Sequence, residues 1–581
     1  MENKDQRQSW LSLEESIILS DRCADLVINN QFLEAIKYAE EYSEHSLYHS
    51  HYYSMLLLFK VYLSLEEPDA KIAQLASEKT MKFCDEIRSL KFRDNFLIKL
   101  LIDQNYEQFS EVELHAELIR VEQTIFFTIM EFFLDQSLFT LMKVSYRLRS
   151  IFMTYKSFSK LMDNKIWTSS IVGENFRIGV KLGLATYNLM FSMVPPRLMQ
   201  ILSMVGFEGS KYYGLSLLQE SSEIKGVRSF VAQILLLVYE CYLNQMWNVH
   251  SASTMNIRKY IENGLKINSL SLWYSLFKGR CSMIDHNIEN AIDVYEGCAR
   301  IKNLDIKQMT TLYHWELMWS YALKGDWKGA IRNNNELRNI CVFSPSTLCY
   351  LGATFRIMLL ETRLFDENDK NDRCDVDEFD RLSSNQIRQQ IEELLKQVPI
   401  RVKRYAGRRI PMEKFACEKV DKFLQENRLI APAYELFIIW NHFIFIEGQK
   451  KFLSPIMKHI DRLFQQFTNL DWFNRSLLYL TKGSCLRLLG RYEEAEKILI
   501  QIFQNKKFLK NERYLYSFAK LEIGIVSMLM ERFEESQQYL IEAKESIRKE
   551  DSTELFLHFR IAKAMNLMRR LKCDNHQIDH N

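Results

Sequence analysis

The sequence predicts an all-α fold, a superhelix of stacked helix pairs with long additional helices. Three observations carry this. Gly (18) and Pro (8) are scarce among 581 residues, whereas a β-rich or multi-linker chain needs many of both at its turns. Apolar residues recur at three- and four-residue steps over long stretches such as 112–162, the spacing that gathers them on one helix face. A short helix–turn–helix signature also returns along the chain, and repetition decides a fold before any single motif does. Hydrophobic residues make up 47%, enough for a packed interior.

The repeat is clearest near the C-terminus. Leu489-Gly490-Arg491-Tyr492-Glu493-Glu494-Ala495 returns 41 residues later as Met530-Glu531-Arg532-Phe533-Glu534-Glu535-Ser536. Gly483 precedes Ala495 by twelve positions, and Gly524 precedes Ser536 by the same step. One small residue on each helix of a hairpin lets the two approach closely, and Leu499 and Leu540 then fill the next layer. Gly279 and Ala291 share this register, with Tyr295 four positions on. Lys324-Gly325-Asp326-Trp327-Lys328-Gly329-Ala330 repeats the turn, as does Asn29-Asn30-Gln31-Phe32-Leu33-Glu34-Ala35, with Ala39 one turn later. This is the packing logic of a tetratricopeptide unit in divergent form. The offsets of 39 to 41 exceed the usual 34, and HEAT-like packing of some pairs stays open.

The chain accordingly divides into an N-terminal helical repeat region (1–105), a long-helix region (106–265) and central repeats (266–364). An acidic mobile loop (365–385), a helical region (386–470), C-terminal repeats (471–572) and a polar tail (573–581) follow. Asp135-Gln136-Ser137 breaks the long helical stretch, with Ser137 as N-cap.

A block in the second region resembles a known family. Gly179-Val180-Lys181-Leu182-Gly183, Tyr187-Asn188-Leu189-Met190, Pro195-Pro196-Arg197 and Val205-Gly206-Phe207-Glu208-Gly209 look like the signature of the tetratricopeptide repeat protein 39 family, which includes the fungal inclusion-body clearance proteins. Gly214-Leu215, Glu113-Leu114-His115-Ala116-Glu117-Leu118, and 406–415 with 435–441 extend the likeness over most of 20–570. The resemblance implies a helical-repeat protein without enzymatic chemistry, associated with lipid homeostasis or clearance of misfolded protein. It places the chain in the cytosol or peripherally at the mitochondrial outer membrane or lipid droplets, or in the nucleus. The physical meaning of the block is structural. Gly179 and Gly183 bare one helix face for a neighbour, Pro195 and Pro196 end that helix, and Gly206 and Gly209 supply a turn needing positive φ.

Chemistry is sparsely signalled. Net charge is +2, which gives no global field to recruit nucleic acid. The 11 Cys include no CxxC pair, so a zinc ribbon or a disulfide framework is not expected. The polar N-terminus reads as lacking a secretory signal. The apolar runs 182–194 and 434–446 are too short to span a bilayer, which takes about 20 residues, and read as buried helices. Gly206-Phe207-Glu208-Gly209-Ser210-Lys211 fails the phosphate-loop pattern, because Ser210 separates the second glycine from the lysine. His45, His49 and His51 lack a carboxylate companion of the HExxH kind and read as a solvated helix end. Arg401, Lys403, Arg404, Arg408 and Arg409 form the densest basic run, a candidate contact for an anionic surface. Leu480, Ser484, Leu521 and Ile525 stand where a carboxylate clamp would need Lys and Asn, so no such clamp is expected.

The expected function is a scaffold presenting a concave groove to protein partners, with no enzyme activity, cofactor, metal or nucleic acid. The alternative is a protein that binds lipid or an organelle surface through apolar cavities between helices, as a peripheral contact without a membrane span.

Overall fold

The computed structural model describes residues 10–64, 66–88, 106–134, 138–194, 199, 203, 208–301, 307–363, 378–405, 408–504, 513–547 and 551–578. For 129–134, 138–146, 404–409 and 574–578 it describes the backbone alone. The break expected at 135–137, with Ser137 as its cap, lies outside the described residues, as do Pro195, Pro196 and Gly206.

The described residues are overwhelmingly helical. Helices α1 (Leu13–Ser20), α2 (Arg22–Ile28), α3 (Phe32–Tyr42), α4 (Leu47–Ser64) and α5 (Glu67–Ile87) lead to the long α6 (Glu111–Leu134), α7 (Leu138–Met162) and α8 (Ser170–Ser192). After α9 (Lys211–Ser222), α10 (Val227–Val238) passes into a π-helical turn at Tyr239–Leu243. The central pairs are α11 (Met255–Ile267), α12 (Leu272–Ile284), α13 (Ile288–Ala299), α14 (Met309–Lys324), α15 (Trp327–Ile340) and α16 (Pro345–Arg363). Then come α17 (Ser384–Ile400), α18 (Pro411–Glu426), α19 (Pro432–Ile439) and α20 (Lys450–Gln466). The chain closes with α21 (Trp472–Leu488), α22 (Tyr492–Ile500), α23 (Arg513–Leu529), α24 (Phe533–Ser546) and α25 (Glu554–Ile578).

Five of the hairpins share one turn, and its hydrogen bonds explain why the signature recurs. Asn30, His286, Gly325, Gly490 and Glu531 each adopt left-handed φ, between 61° and 82°. The amide of the next residue reaches back five positions, as in Gln31 N–H to Leu26 O and Asn287 N–H to Ser282 O (2.9 and 2.8 Å). Asp326 to Tyr321, Arg491 to Leu486 and Arg532 to Ser527 repeat the bond, each at 2.9 Å. This is the Schellman arrangement, which satisfies carbonyls left open at a helix end. Glycine takes the left-handed position freely and Asn tolerates it, whereas His286 and Glu531 hold it against a cost of about 1–2 kcal/mol. Asn287 and Asp326 then cap the second helix, accepting from Asn290 N–H (3.2 Å) and Gly329 N–H (2.9 Å).

Three expectations need correction. Of the loop placed at 365–385, Glu378–Arg381 form a 3-10 turn that buries Phe379, and α17 starts at Ser384 behind a Ser383–Gln386 capping box. Residues 364–377 lie outside the described residues. The polar tail from 573 is helical to Ile578, because α25 runs on through it. The apolar run 434–446 is buried, yet it is not one helix: α19 ends at Ile439, Asn441 turns left-handed (φ 57°), and His442–Ile446 form a 3-10 turn. A minimal hairpin also pairs Arg404 with Arg409 and Tyr405 with Arg408.

The two helices of each pair differ in burial. First helices are buried on nearly all sides, as in α23 from Tyr514 to Met528. Second helices bury a stripe, in α24 only Ser536, Leu540 and Ala543. A first helix in an open solenoid shows solvent its inner face; here segment 431–446 covers that face.

Close approach within the hairpins is measurable. A Cβ on Gly279 would lie 2.3 Å from the Tyr295 ring, on Gly483 2.5 Å from Leu499, and on Gly524 2.9 Å from Leu540. Ala291, Ala330 and Ala495 are fully buried. Replacing Ala495 with Phe is expected to overpack its hairpin and cost about 1–3 kcal/mol. An Ala495→Phe protein whose thermal melt overlays the parent would show that the α21–α22 contact is looser than this register requires.

Candidate functional site

Three features could do work in this fold: a buried ionic centre in the N-terminal half, the self-inserted segment at the inner face, and open grooves between successive hairpins on the outer face.

The ionic centre begins with Arg228, the second residue of α10 and its one charged residue. Its guanidinium donates to both oxygens of Glu122 on α6, Nε to Oε1 at 3.0 Å and Nη2 to Oε2 at 2.7 Å. Nη1 donates to Tyr48 Oη (2.8 Å) and to Asn175 Oδ1. His51 Nδ1 accepts from Gln123 Nε2 (2.9 Å), which leaves the proton on Nε2 to donate to Glu122 Oε2 at 3.1 Å. Tyr48 donates to His115 Nδ1 at 2.5 Å. Burial opposes the charge on Glu122, but Arg228 and His51 outweigh it and hold the carboxyl at about 2. For His51, burial outweighs the attraction of Glu122 and keeps the ring below its ordinary value. The centre is therefore one ion pair surrounded by neutral partners, its two charges meeting each other through two hydrogen bonds, as buried charge requires.

The signature block shapes this centre. A Cβ on Gly179 would fall 2.7 Å from Leu118 and 3.0 Å from Arg228 Nε, and one on Gly183 would enter the Tyr155 ring at 2.0 Å. Asn188 donates to Leu184 O (2.8 Å) and accepts from Ser210 N–H (3.0 Å), tying α8 to the start of α9. Gly209 does not have positive φ. Its smallness is needed for a different reason, because a Cβ there would lie 2.6 Å from Phe191 Cβ and 2.9 Å from the Ser192 amide. Lys211, the discarded phosphate-loop lysine, lies over the Tyr239 ring (5.3 Å) behind the Ser210 N-cap.

The inner segment is anchored by every element around it. Trp319 of α14 meets Phe437, Trp440 and His442, with centroids at 6.1, 4.9 and 4.5 Å. Arg280 of α12 lies 4.4 Å from the Phe445 centroid. Arg560 of α25 donates to Ile438 O (3.0 Å) and to Glu522 (2.9 Å), which also accepts from Arg487 (2.6 Å). Lys419 reaches Glu435 at 2.9 Å and Tyr514 Oη at 2.8 Å. Glu361 accepts the Ala431 N–H at 3.0 Å. Burial pushes its carboxyl up to about 8, the Ala431 bond pulling the other way. His459 Nε2 lies 3.7 Å from Glu361 Oε2, while Tyr434 donates to His459 Nδ1 (2.9 Å). Burial and then Arg462 lower His459 to about 4.

The grooves are open to solvent. One, of about 540 Å³, lies among α11, α12 and α13 and is lined by Arg258, Lys266, Lys278 and Cys281, with Glu262 and Asp285 as its acids. The other, of about 460 Å³, lies among α20, α21 and α22, with Met457, Leu486 and Ile498 under Lys458, Lys482, Arg491 and Lys497. The two are counterparts in the repeat, since Lys278 precedes Gly279 as Lys482 precedes Gly483. Asp461 and Glu494 are the acids in the second groove, so cations outnumber them there. An apolar cavity lined by Val27, Phe32, Phe230 and Trp273 has about 20 Å³, roughly the room for one water.

The other residues singled out in the sequence are placed differently. His49 and His51, read as a solvated end, are buried at 0% and 2% exposure; only His45 is exposed. In the basic run, Arg401 is exposed, whereas Lys403 donates to Val342 O (2.5 Å) and its amide to Glu413 (2.9 Å). The Arg404, Arg408 and Arg409 side chains are outside the description. Leu480, Ser484, Leu521 and Ile525 are buried. Among the described residues no group of three His, Cys, Asp or Glu is placed to hold a metal, and no helix is long and apolar enough to cross a membrane.

A family model described as Iml2/Tetratricopeptide repeat protein 39 matches residues 22–489. Tetratricopeptide repeat protein ttc-39B of Caenorhabditis elegans is 27% identical over 572 residues, covering 96% of this chain and 93% of that protein. Among solved structures, a monomeric IFIT1 mutant with Gppp-AAAA aligns at a TM-score of 0.32 and 10% identity, over 93% of this chain and 99% of that one.

Proposed function

Because the chain belongs to the Iml2/tetratricopeptide repeat protein 39 family, we propose that it is a non-enzymatic helical-repeat scaffold whose protein partners dock on its outer grooves. One observation carries the reading. The inner face, where an open array of such hairpins would hold a peptide, is filled by residues 431–446. The grooves between hairpins stay open and carry cations over an apolar floor. That combination suits an acidic amphipathic segment, whose apolar side chains enter the floor while its carboxylates meet the lysines. The processes associated with the family resemblance, lipid homeostasis and clearance of misfolded protein, are the settings in which we place the scaffold, at a cytosolic or organelle-surface location. A cavity of about 20 Å³ is far too small for an acyl chain, which weighs against lipid carriage at that place.

The test is crosslinking of the full-length protein in cells, followed by mass spectrometry. Crosslinks to partners are expected to concentrate on Lys458, Lys482 and Lys497. Lys458→Glu with Lys497→Glu, both at exposed positions, should keep the parental melt and weaken capture of those partners about tenfold or more, most strongly at low salt. Capture unchanged by the double reversal would remove the groove from the proposal. Recovery of the protein with lipid vesicles in place of protein partners would favour the surface-binding alternative.

A further inference from the structure

We propose that Cys241 and Cys281 form an oxidisable dithiol, converted by hydroperoxides to an intramolecular disulfide that joins the π-helical turn to α12. Their sulfurs lie 4.0 Å apart, so about 2 Å of closure gives the ordinary S–S bond length. The two stretches are held face to face independently of the thiols. Arg280, next to Cys281, donates to the carbonyl of Cys241 (3.1 Å) and to Glu316 (3.0 Å), with its guanidinium over the Tyr242 ring. The extra residue of a π turn offers the local slack for a rotamer change, and such turns gather at functional positions.

The pair is asymmetric in the way the chemistry needs. Cys281, although only 5% exposed, lines the groove of about 540 Å³ among α11, α12 and α13, which gives a small peroxide a route to its sulfur. Cys241 is fully buried behind it. A hydrogen bond from Cys241 lowers the Cys281 thiol, whereas burial raises Cys241. The thiolate is the nucleophile in such reactions. Cys281 sulfur attacks the outer peroxide oxygen; an S–O bond forms, the O–O bond breaks, and the leaving alkoxide or hydroxide takes up a proton. The Cys241 sulfur then attacks the sulfenic sulfur, forming S–S and breaking S–O, and the departing hydroxide carries the Cys241 proton away as water. Two thiols and one hydroperoxide thus give a disulfide, an alcohol or water, and one water.

The test uses the full chain. Protein treated with hydrogen peroxide, then denatured and alkylated, should lose labelling at both Cys241 and Cys281. It should also yield the peptide joining them, and dithiothreitol should restore both labels. The exposed Cys573 is the internal gauge of dose. In Cys241→Ser protein, Cys281 should accumulate as a dimedone-trapped sulfenic acid. Full labelling of both thiols at a dose that oxidises Cys573, or a bridge from Cys281 to any other cysteine, overturns the assignment on the parental protein alone, whether or not the variant folds.

Discussion

Replacing Arg228 with Met is expected to destabilise the protein by about 3–5 kcal/mol, because it leaves the Glu122 carboxylate buried without its cation. The loss exceeds that of a surface pair, since Arg228 and Glu122 side chains are 3% and 9% exposed and solvent cannot take over the charge. Arg228→Met combined with Glu122→Gln removes both charges and keeps an acceptor for the His51 N–H. Most of the stability should return in that double variant, the signature of a charge left unpaired rather than of a lost contact. Glu122 also sets an acid limit. Its folded value of about 2 lies below the ordinary carboxylate value, so its contribution is present above about 4.5 and is lost as pH falls toward 2. Urea melts at pH 7 measure the variant effect, and a single Arg228→Met variant as stable as the double one would refute it.

Glu361 gives the second large effect, with the opposite sign. Its folded value of about 8 lies above the unfolded value near 4.5, so the folded state holds a proton that the unfolded chain releases. Stability from this group is full below about 4.5 and declines as pH rises, and the loss is complete just above 8. Between pH 6 and pH 9 the parental protein should lose about 3 kcal/mol through Glu361, at roughly 1.4 kcal/mol per pH unit while the difference persists. Glu361→Gln keeps an oxygen for the Ala431 N–H and cannot ionise, so the stability gap between variant and parent should widen by that amount across the interval. Melts followed by tryptophan emission, which Trp319 and Trp440 place beside the inner segment, are the measurement. Parallel decline of both proteins would show that Glu361 is already charged at pH 6.

What could be read in advance divides along the chain's local and distant contacts. The hairpins were legible because a Schellman turn needs only neighbouring residues: a residue at left-handed φ, a large apolar residue two positions on, and a small one three later, as in Gly490, Tyr492 and Ala495. The ionic centre was not, because its partners lie 106 and 180 residues apart, from Arg228 to Glu122 and to Tyr48. The available hint was one arginine near the start of a largely apolar helix, together with histidines inside a helix rich in Leu, Tyr and Met. The apolar run 434–446 was rightly placed in the interior. Its destination, the inner face, could not be read because hydrophobicity states that a segment is buried without stating against what. Asn441, a residue that tolerates left-handed φ, marked where that run stops being one helix.

The inserted segment also bears on how the chain can be made. Helices α12, α14 and α16 are complete once Arg363 has been added, yet Ala431 follows only 68 residues later. At about 5–20 residues per second, the ribosome leaves the apolar inner wall of the central hairpins bare for roughly 3 to 14 s. Open solenoids, whose repeats satisfy one another in turn, have no such interval. Newborn chains of this protein therefore expose Trp315 and Trp319 before their own strap arrives, and holding factors that bind apolar surface would find their substrate in that window.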